Sequence, residues 1–519
     1  MNDVELILAL LVAVAALAAR LNVPYPILLV IGGAALGFIP GLPPVRIAPD
    51  VVFLLFVPPL VFAAGFFTSW RDFSANAAPI LSLAVGLVVV TAIVVAVVAH
   101  LTVGMTWGPA FVLGAVVSST DTTAVVAIAR QTNLPRRIVT LMEGESLVND
   151  AVSLTSFRLA VVATASGVFS PRTGGADLAL AVGGALATGW VVGWLTAAAR
   201  GHSGDPRITT IVSIITPYAA FLSADRIGAS GILAVVVAGL YVGRRESAIE
   251  DAQTRLETRA VWDVVIFALN GLLFILVGLQ LRPIWDALQG VESTGILGAA
   301  AAVTLAVVLT RIVWVAVTVD APLARRRVAG AEPRDSWRGA AVVSWAGLRG
   351  GSTLAAALSV PLLTNGGAPF PFRAEIVFLA FAVIVTTLVG QGLTLPLLIR
   401  RLGVAGDGVE IREEVLARQA AAAAALGRLD AIAGDGSWPA HAIATLRERF
   451  EHEAALLADL GAHREQAAGH VASERRLRQE VLRAEREAVV RLRDEGEISD
   501  QVLRRVGRDI DLEEARVGG

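Results

Sequence analysis

Residues 114–123 read Gly114-Ala115-Val116-Val117-Ser118-Ser119-Thr120-Asp121-Thr122-Thr123. They lie in the middle of an apolar run, 108–129, that as a helix is long enough to cross a bilayer core, which takes about 20 residues. Ser119 to Thr123 are five consecutive hydroxyl or carboxylate side chains. Such residues compete with the backbone for its own hydrogen bonds and favour caps over helix interiors. The pattern predicts a membrane helix split in two by an unwound stretch. Non-helical backbone survives at that depth only where it faces protein or a watery cavity, and there it offers helix ends and free carbonyls to ions. Asp121 serves either as the cap of a second half-helix or as an ion ligand, and the two roles are compatible.

Working outward, twelve more runs of this kind fall before residue 402: near 4–20, 24–40, 50–67, 77–100, 138–165, 177–199, 208–224, 228–243, 260–280, 294–319, 339–361 and 374–399. The first has Asp3 and Glu5 ahead of it and no small-residue cleavage site, so it reads as a span and not as a signal peptide. Arg in short loops marks the cytoplasmic side. With thirteen spans and the C-terminal tail inside, the inner connections carry 18 Arg and the outer ones 5. An error of one span would mix the two sets. The N-terminus is therefore expected outside. Composition agrees: 55% of the 519 residues are apolar and 17% charged, against roughly 25% charged in soluble domains.

The charge divides the chain in two. Residues 1–401 hold 26 Arg against 22 Asp and Glu, and residues 402–519 hold 17 Arg against 23. The expected domains are a transmembrane body, 1–401, and a polar helical tail, 402–519. There is no Cys and no Lys, which removes disulfides, thiolate catalysis, Cys-ligated zinc and Schiff-base chemistry. A nucleophile–base constellation, an HExxH motif and a P-loop are all lacking, so enzymatic activity has no support.

Ionisable groups inside spans are functional candidates by default. In the sixth span Glu143-Gly144-Glu145-Ser146-Leu147-Val148-Asn149-Asp150 places Ser146 and Asp150 on one helical face and Glu145 and Asn149 on the neighbouring stripe. Oxygen ligands of this kind suit a hard cation, and a carboxylate there can also take a proton; the alternative is a structural polar network between packed helices. Glu143 is expected near the cytoplasmic mouth. In the twelfth span Gly347-Leu348-Arg349-Gly350-Gly351-Ser352-Thr353 puts an Arg in a Gly-rich break. An Arg that cannot shed its charge needs a buried carboxylate or a helix C-terminus. If spans 1–6 and 8–13 are two repeats, the interrupted fifth and twelfth spans are counterparts, and the second repeat is inverted. Paired broken helices of this sort point to a transporter's site. In the tenth span Asn270 is expected mid-membrane and Asp263 nearer the cytoplasmic end, with interhelical hydrogen bonding and a part in transport both open. Arg158 and Arg311 read as pairing groups, and the Gly32–Gly37 and Gly183-Gly184 stretches as close-packing surfaces.

At these residues the sequence resembles the monovalent cation:proton antiporter-1 family, the sodium/proton exchangers. The resemblance rests on Pro58-Pro59-Leu60-Val61-Phe62, Gly114 to Asp121, Glu143 to Asp150, Phe267 to Gly278 and Gly347 to Gly350, in order along the body; Asn149 to Arg158 is similar to the bacterial branch. It implies a thirteen-helix inverted-repeat fold, usually homodimeric, in the cytoplasmic (inner) membrane, exchanging Na⁺ or Li⁺ for H⁺ in pH homeostasis without a cofactor. Asp150 would bind cation and proton in turn. Asp121, Thr120 and Ser146 would complete the cation's oxygen shell, Asn149 stands where electrogenic relatives have a second Asp, and Glu145 would pair with Arg349. Many members carry an acidic residue after the Pro-Pro-x-x-Phe stretch; here Ala63 and Ala64 follow Phe62, so that ligand is missing.

One carboxylate that cannot hold cation and proton together implies electroneutral one-for-one exchange. K⁺/H⁺ antiport is the nearest alternative. An anion or organic-acid transporter on a similar broken-helix scaffold, and a channel or sensor, are the readings from other classes. In the tail, Leu482-Arg483-Ala484-Glu485-Arg486-Glu487 interleaves charges as a solvated or coiled-coil face does. No G-x-G-x-x-G follows a strand-like run, so nucleotide and nucleic acid are not expected partners. Four of the six His, at 441, 452, 463 and 470, lie in the tail, either as ordinary surface residues or as a pH sensor.

Overall fold

The computed structural model describes residues 25–39, 49–132, 134–167, 171–283, 293–320, 336–404, 409–433, 438–462, 464–495 and 497–518. The expected first span, 4–20, lies outside them. The described chain is helical, and its β-type pairing amounts to a single bridge between Leu363 and Pro369. Helices occupy the positions of the other twelve runs. In order they are α1 (Tyr25–Gly37), α2 (Pro49–Phe67), the short α3 (Trp70–Ala75), α4 (Ala77–Val103), α5 (Trp107–Ser118), α6 (Thr123–Thr132), α7 (Arg136–Ser166), α8 (Pro171–Ser203), α9 (Pro206–Arg226), α10 (Gly231–Ile249), α11 (Ala252–Leu279), α12 (Ser293–Val315), α13 (Ser336–Trp345), α14 (Gly351–Leu358) and α15 (Arg373–Leu402). Among the described residues seven helices are by themselves long and apolar enough to cross a membrane; the rest are shorter, or are halves of interrupted spans.

Local chemistry sets the ends. Asp205, Ser230 and Asp251 cap α9, α10 and α11 through their side-chain oxygens, satisfying first-turn N–H groups that have no helical partner. Gly104, Gly167 and Gly403 close α4, α7 and α15 at positive φ, where a side chain would be strained. Three π-helical turns occur among the described residues, Ser82–Leu87 in α4, Ala316–Asp320 directly after α12 and Thr386–Gln391 in α15. A widened turn frees carbonyls from the ladder: the Trp314 indole donates to Ser82 O at 3.1 Å.

The body packs as two helix groups. Around the interrupted spans, α4, α5, α7, α12, α14 and α15 pack on one another; α1 packs on α11, and α2, α8, α9 and α10 form the rest of the second group. The groups meet where α10 touches α7 and where α2 touches α7 and α14. A methyl group on Gly33 would stand 2.3 Å from Ile275 O, and one on Gly278 2.2 Å from Val30 O, so the α1–α11 contact is backbone against backbone, as the Gly-rich stretch predicted. Gly184 meets Ala229, whereas Gly183 faces open space. At one end of the second group Arg200 of α8 pairs with Glu250 at 2.6 Å, both buried, with Glu246 paired to Arg259 at 3.1 Å beside it. Burial pushes the Glu250 carboxyl above the usual carboxylate range, with the Arg200 guanidinium pulling the other way.

The chain divides into two compact units, residues 1–406 and 407–519. The second is built from α16 (Val409–Ala433), α17 (Ala440–Ala462), α18 (Arg464–Asp494) and α19 (Asp500–Gly518). α16 packs on α17 and α18 on α19; Arg486 of α18 joins Asp511 and Glu514 of α19 at 2.5 and 2.7 Å. His463 lies outside the described residues.

Candidate functional site at the two helix breaks

Residues 119–122 and 346–350 are both non-helical, as the hydroxyl run and the glycines predicted, and the two breaks lie against each other. The Asp121 N–H donates to Leu348 O at 2.8 Å, and Gly351 N donates to Asp121 Oδ2 at 3.1 Å. Asp121 therefore caps a half-helix, but the one it caps is α14, from the other interrupted span. A carboxylate there offsets the positive end of α14. A Cβ on Gly350 would lie 1.9 Å from Asp121 Oδ2, so only glycine permits this approach.

α7 supplies the third wall, and its two predicted stripes separate by exposure. Ser146 and Asp150 are half-buried, while Glu145 and Asn149 are 1% and 0% exposed. The open stripe meets the first break: Ser119 Oγ donates to Asp150 Oδ1, and Ser146 Oγ donates to Thr120 O at 3.0 Å. The closed stripe forms a relay in which Asn149 Nδ2 donates to Thr120 Oγ1 at 2.5 Å and Thr120 Oγ1 to Glu145 Oε1 at 3.2 Å. Both hydrogen-bonding roles of that hydroxyl are in use. Asn149 Oδ1, buried, accepts no hydrogen bond among the described residues.

The expected Glu145–Arg349 pair is corrected. Glu145 is held by Arg311 of α12 in a two-point pair, Nη1 to Oε1 at 2.5 Å and Nη2 to Oε2 at 2.8 Å, while Arg311 Nε donates to Val343 O at 3.1 Å. Arg349 directs its buried guanidinium along the other route that its position allowed, a helix C-terminus, with Nη2 left without a hydrogen-bond partner among the described residues. Its Nε donates to Val117 O at the end of α5 at 3.0 Å, and its Nη1 to Gly347 O. Its own N–H goes to Thr387 Oγ1 at 3.1 Å, in the π turn of α15. The reason is local: the break at 119 leaves the last carbonyls of α5 without helical donors, and Arg349 is beside them. Gly347 separates the two guanidinium groups; a Cβ there would fall 2.3 Å from Arg311 Cδ and 3.0 Å from Arg349 Nη1.

Asp150, Asp121, Thr120, Ser146 and Asn149 are thus brought together. Asn270 is buried on α11, one turn from Leu273, the side chain that covers Gly351. Asp263 is exposed two turns away from Asn270 on that helix and does not join the group. Ala63 is buried on α2 and brings only a methyl group. Among the described residues no three His, Cys, Asp or Glu side chains are grouped as a resident metal centre would need; the oxygens here are two carboxylates and neutral groups, the donor set of a weakly held hard cation. Toward the N-terminal end of α7, a cavity of about 180 Å³ is lined by Thr68, Ser69, Asp72, Arg136, Thr140 and Glu143, with Asp72 and Arg136 paired at 2.6 Å in its wall. Glu143 stands seven residues before Asp150 on the same helical stripe, about 10 Å along the axis. Sequence reasoning did not single out Ser119, Ser352 and Thr387, nor did it assign Arg311 to Glu145.

Comparison with known proteins agrees with this geometry. The family profile described as sodium/hydrogen exchanger, transmembrane, matches residues 6–401. An uncharacterized Na⁺/H⁺ exchanger of Mycobacterium tuberculosis is 37% identical over 508 residues, 96% of this chain and 92% of that one. A sodium, potassium, lithium and rubidium/H⁺ antiporter of Bacillus pumilus is 32% identical over 412 residues, 76% of this chain and 61% of that one. Among solved structures, the sodium proton antiporter of Methanocaldococcus jannaschii at pH 8 superposes with a TM-score of 0.61 at 18% identity, covering 77% of this chain and 97% of that one.

Proposed function

We propose, from the premise that this chain belongs to the sodium/hydrogen exchanger family, whose members are transporters and not enzymes, that it exchanges Na⁺ or Li⁺ for H⁺ one for one at Asp150. The observation that carries the reading is the half-buried Asp150 carboxylate at the crossing of two broken helices, bonded to Ser119 and flanked by Ser146, Thr120 and Asp121. A single carboxylate cannot hold a cation and a proton at once, so leaving with one requires arriving with the other, and competition supplies the coupling. Thr120, Ser146, Asn149 and Asp121 complete the shell around the cation. Alternating access comes from one of the two helix groups moving against the other.

The rest of the reading follows from the span count and the resemblance: thirteen helices in two inverted repeats, a homodimer in a bacterial inner membrane, N-terminus outside and tail in the cytoplasm. In that orientation the cavity at Glu143 is the cytoplasmic approach. K⁺ as the exchanged cation is the second reading, supported by the potassium named for the Bacillus pumilus relative. The anion-transporter reading loses its basis, because the two buried Arg groups nearest the site are engaged by Glu145 and by helix-end carbonyls.

The test is dequenching of a pH-gradient dye in everted vesicles as NaCl, LiCl, KCl and choline chloride are added in turn. Dequenching by Na⁺ or Li⁺ but not choline, abolished in Asp150→Asn at equal expression, is the expected result. A response to K⁺ alone would change the substrate and keep the site; silence to every cation from folded protein would sink the exchange reading.

A further inference from the structure

Ser119 and Ser352 belong to neither arginine network, yet they bring a hydroxyl from each interrupted span to the same carboxylate. Ser119 is 1% exposed and donates its proton to Asp150 Oδ1. Ser352, in the first turn of α14 and half-buried, has its oxygen 3.4 Å from Ser119 Oγ. A hydroxyl has one hydrogen and two lone pairs. With Ser119 giving its hydrogen to Asp150, and Ser352 placed to give its own to Ser119, the chain of donors ends on the carboxylate and leaves lone pairs on both serines. Each hydroxyl is thus hydrogen-bonded and still keeps a lone pair that a cation beside Asp150 can meet, the neutral oxygen donor that a hard cation takes. The positive end of α14 would repel a cation placed at Ser352, but the Asp121 carboxylate on Gly351 N offsets it.

We propose that Ser119 and Ser352 are ligands of the transported alkali cation, forming a neutral half-shell that faces Asp150 and joins the two broken helices through the ion. This rests on the exchange reading and deepens it. The half-shell is held by the hydrogen bonds that fix the two breaks, Asp121 N to Leu348 O and Gly351 N to the Asp121 side-chain Oδ2, so its span is set by the crossing. Hard cations are selected by cavity size and by the number of oxygens, so this pair discriminates ion radius as well as contributing affinity. Where the family resemblance leaves Ala63 without an oxygen to give, these hydroxyls raise the ligand count.

The experiment uses full-length protein in two assays: the Na⁺ concentration for half-maximal dequenching in everted vesicles, and Na⁺-dependent thermal stabilisation in detergent against choline. Each is run with Na⁺, Li⁺ and K⁺ on wild type, Ser352→Ala, Ser352→Thr and Ser119→Ala. Ser352→Ala is expected to raise the half-maximal Na⁺ concentration about five- to tenfold, the scale of one lost polar contact, to change the Na⁺:Li⁺:K⁺ ratio, and to lower the maximal rate far less. Ser352→Thr, which keeps the oxygen, is expected to restore both affinity and ratio. A uniform fall in maximal rate for all three ions with an unchanged ratio would mean a packing role and overturn the assignment. So would a Ser352→Ala protein indistinguishable from wild type. If Ser119→Ala does not fold, the Ser352 pair of variants decides alone. Wild type that responds to no alkali cation in either assay defeats the exchange reading itself, and the ligand assignment with it.

Discussion

At the scale of single residues the central lesson is in the two buried arginines. Arg311 and Glu145 are each 2% exposed in their side chains, and removing one member of a buried pair leaves an uncompensated charge that costs about 3–5 kcal/mol. Arg311→Met is therefore expected to lower the unfolding temperature in detergent sharply, and Glu145→Met combined with it to recover more than half of the loss. Arg349→Met combined with Glu145→Met should show no such recovery, since those two residues make no pair. Additive losses in the first combination would contradict the geometry. Gly350→Ala, which drives a methyl group into the Asp121 carboxylate, is expected to cut exchange at least tenfold while the protein still folds. The sequence made the need for a partner legible, because an Arg at 349 must answer its charge somewhere. It did not reveal which partner, because Glu145 is taken by Arg311 through the rotation of α12 against α7, a register no local pattern encodes, and Arg349 is left to the carbonyls at the end of α5. Ser119 was hidden for the opposite reason: in a run of five polar residues, nothing marks the one that reaches Asp150.

At the scale of elements, the helix breaks were readable because their causes are local. Hydroxyls at 119–123 compete for backbone groups, and glycines at 347, 350 and 351 weaken the second span. The π turns at 82–87 and 386–391 were not readable, because the bonds they accompany, Trp314 to Ser82 O and Arg349 N to Thr387, are long-range. The Arg200 cluster gives the prediction that belongs here. It ties α8 to the end of α10 through Glu250, with Glu246 of α10 and Arg255 of α11 facing the same carboxylate and Phe66 of α2 against the guanidinium. Because burial raises the Glu250 carboxyl, its protonated form is favoured in the fold. Stability from it is present below the ordinary carboxylate pKa and is lost as pH rises through the raised one. Arg200→Met removes the group that opposes this shift. The variant's deficit in unfolding temperature against wild type should accordingly be smallest near pH 4.5 and grow toward pH 8. A deficit independent of pH would show that Glu250 does not depend on Arg200 for its charge.

At the scale of the whole molecule, the charge division along the sequence and the two compact units place every proposed ion ligand in residues 1–406. Within the tail Arg486 pairs with Asp511 and Glu514, and Arg447 with Asp430. A chain ending at Gly406 is thus expected to keep cation-dependent dequenching within about twofold per folded molecule, and its loss would assign the tail a part in turnover. The stoichiometry is a property of the whole cycle and follows from how many groups change occupancy. Asp150 has the neutral Asn149 beside it, and Glu145 is held by Arg311 through two hydrogen bonds. Asp121 keeps one oxygen on Gly351 N as the cap of α14. On the proposed one-for-one reading, one carboxylate carries one positive charge in each direction, and the loaded forms have equal charge. Moving a net charge through 100 mV is worth about 2.3 kcal/mol, a roughly fiftyfold change in an equilibrium ratio. Exchange in proteoliposomes clamped at 0 and −100 mV with potassium and valinomycin, using Na⁺ as the transported ion, should therefore proceed at the same rate. A rate that climbs with voltage would require a second titrating carboxylate, and Asp121 would be the group to substitute first.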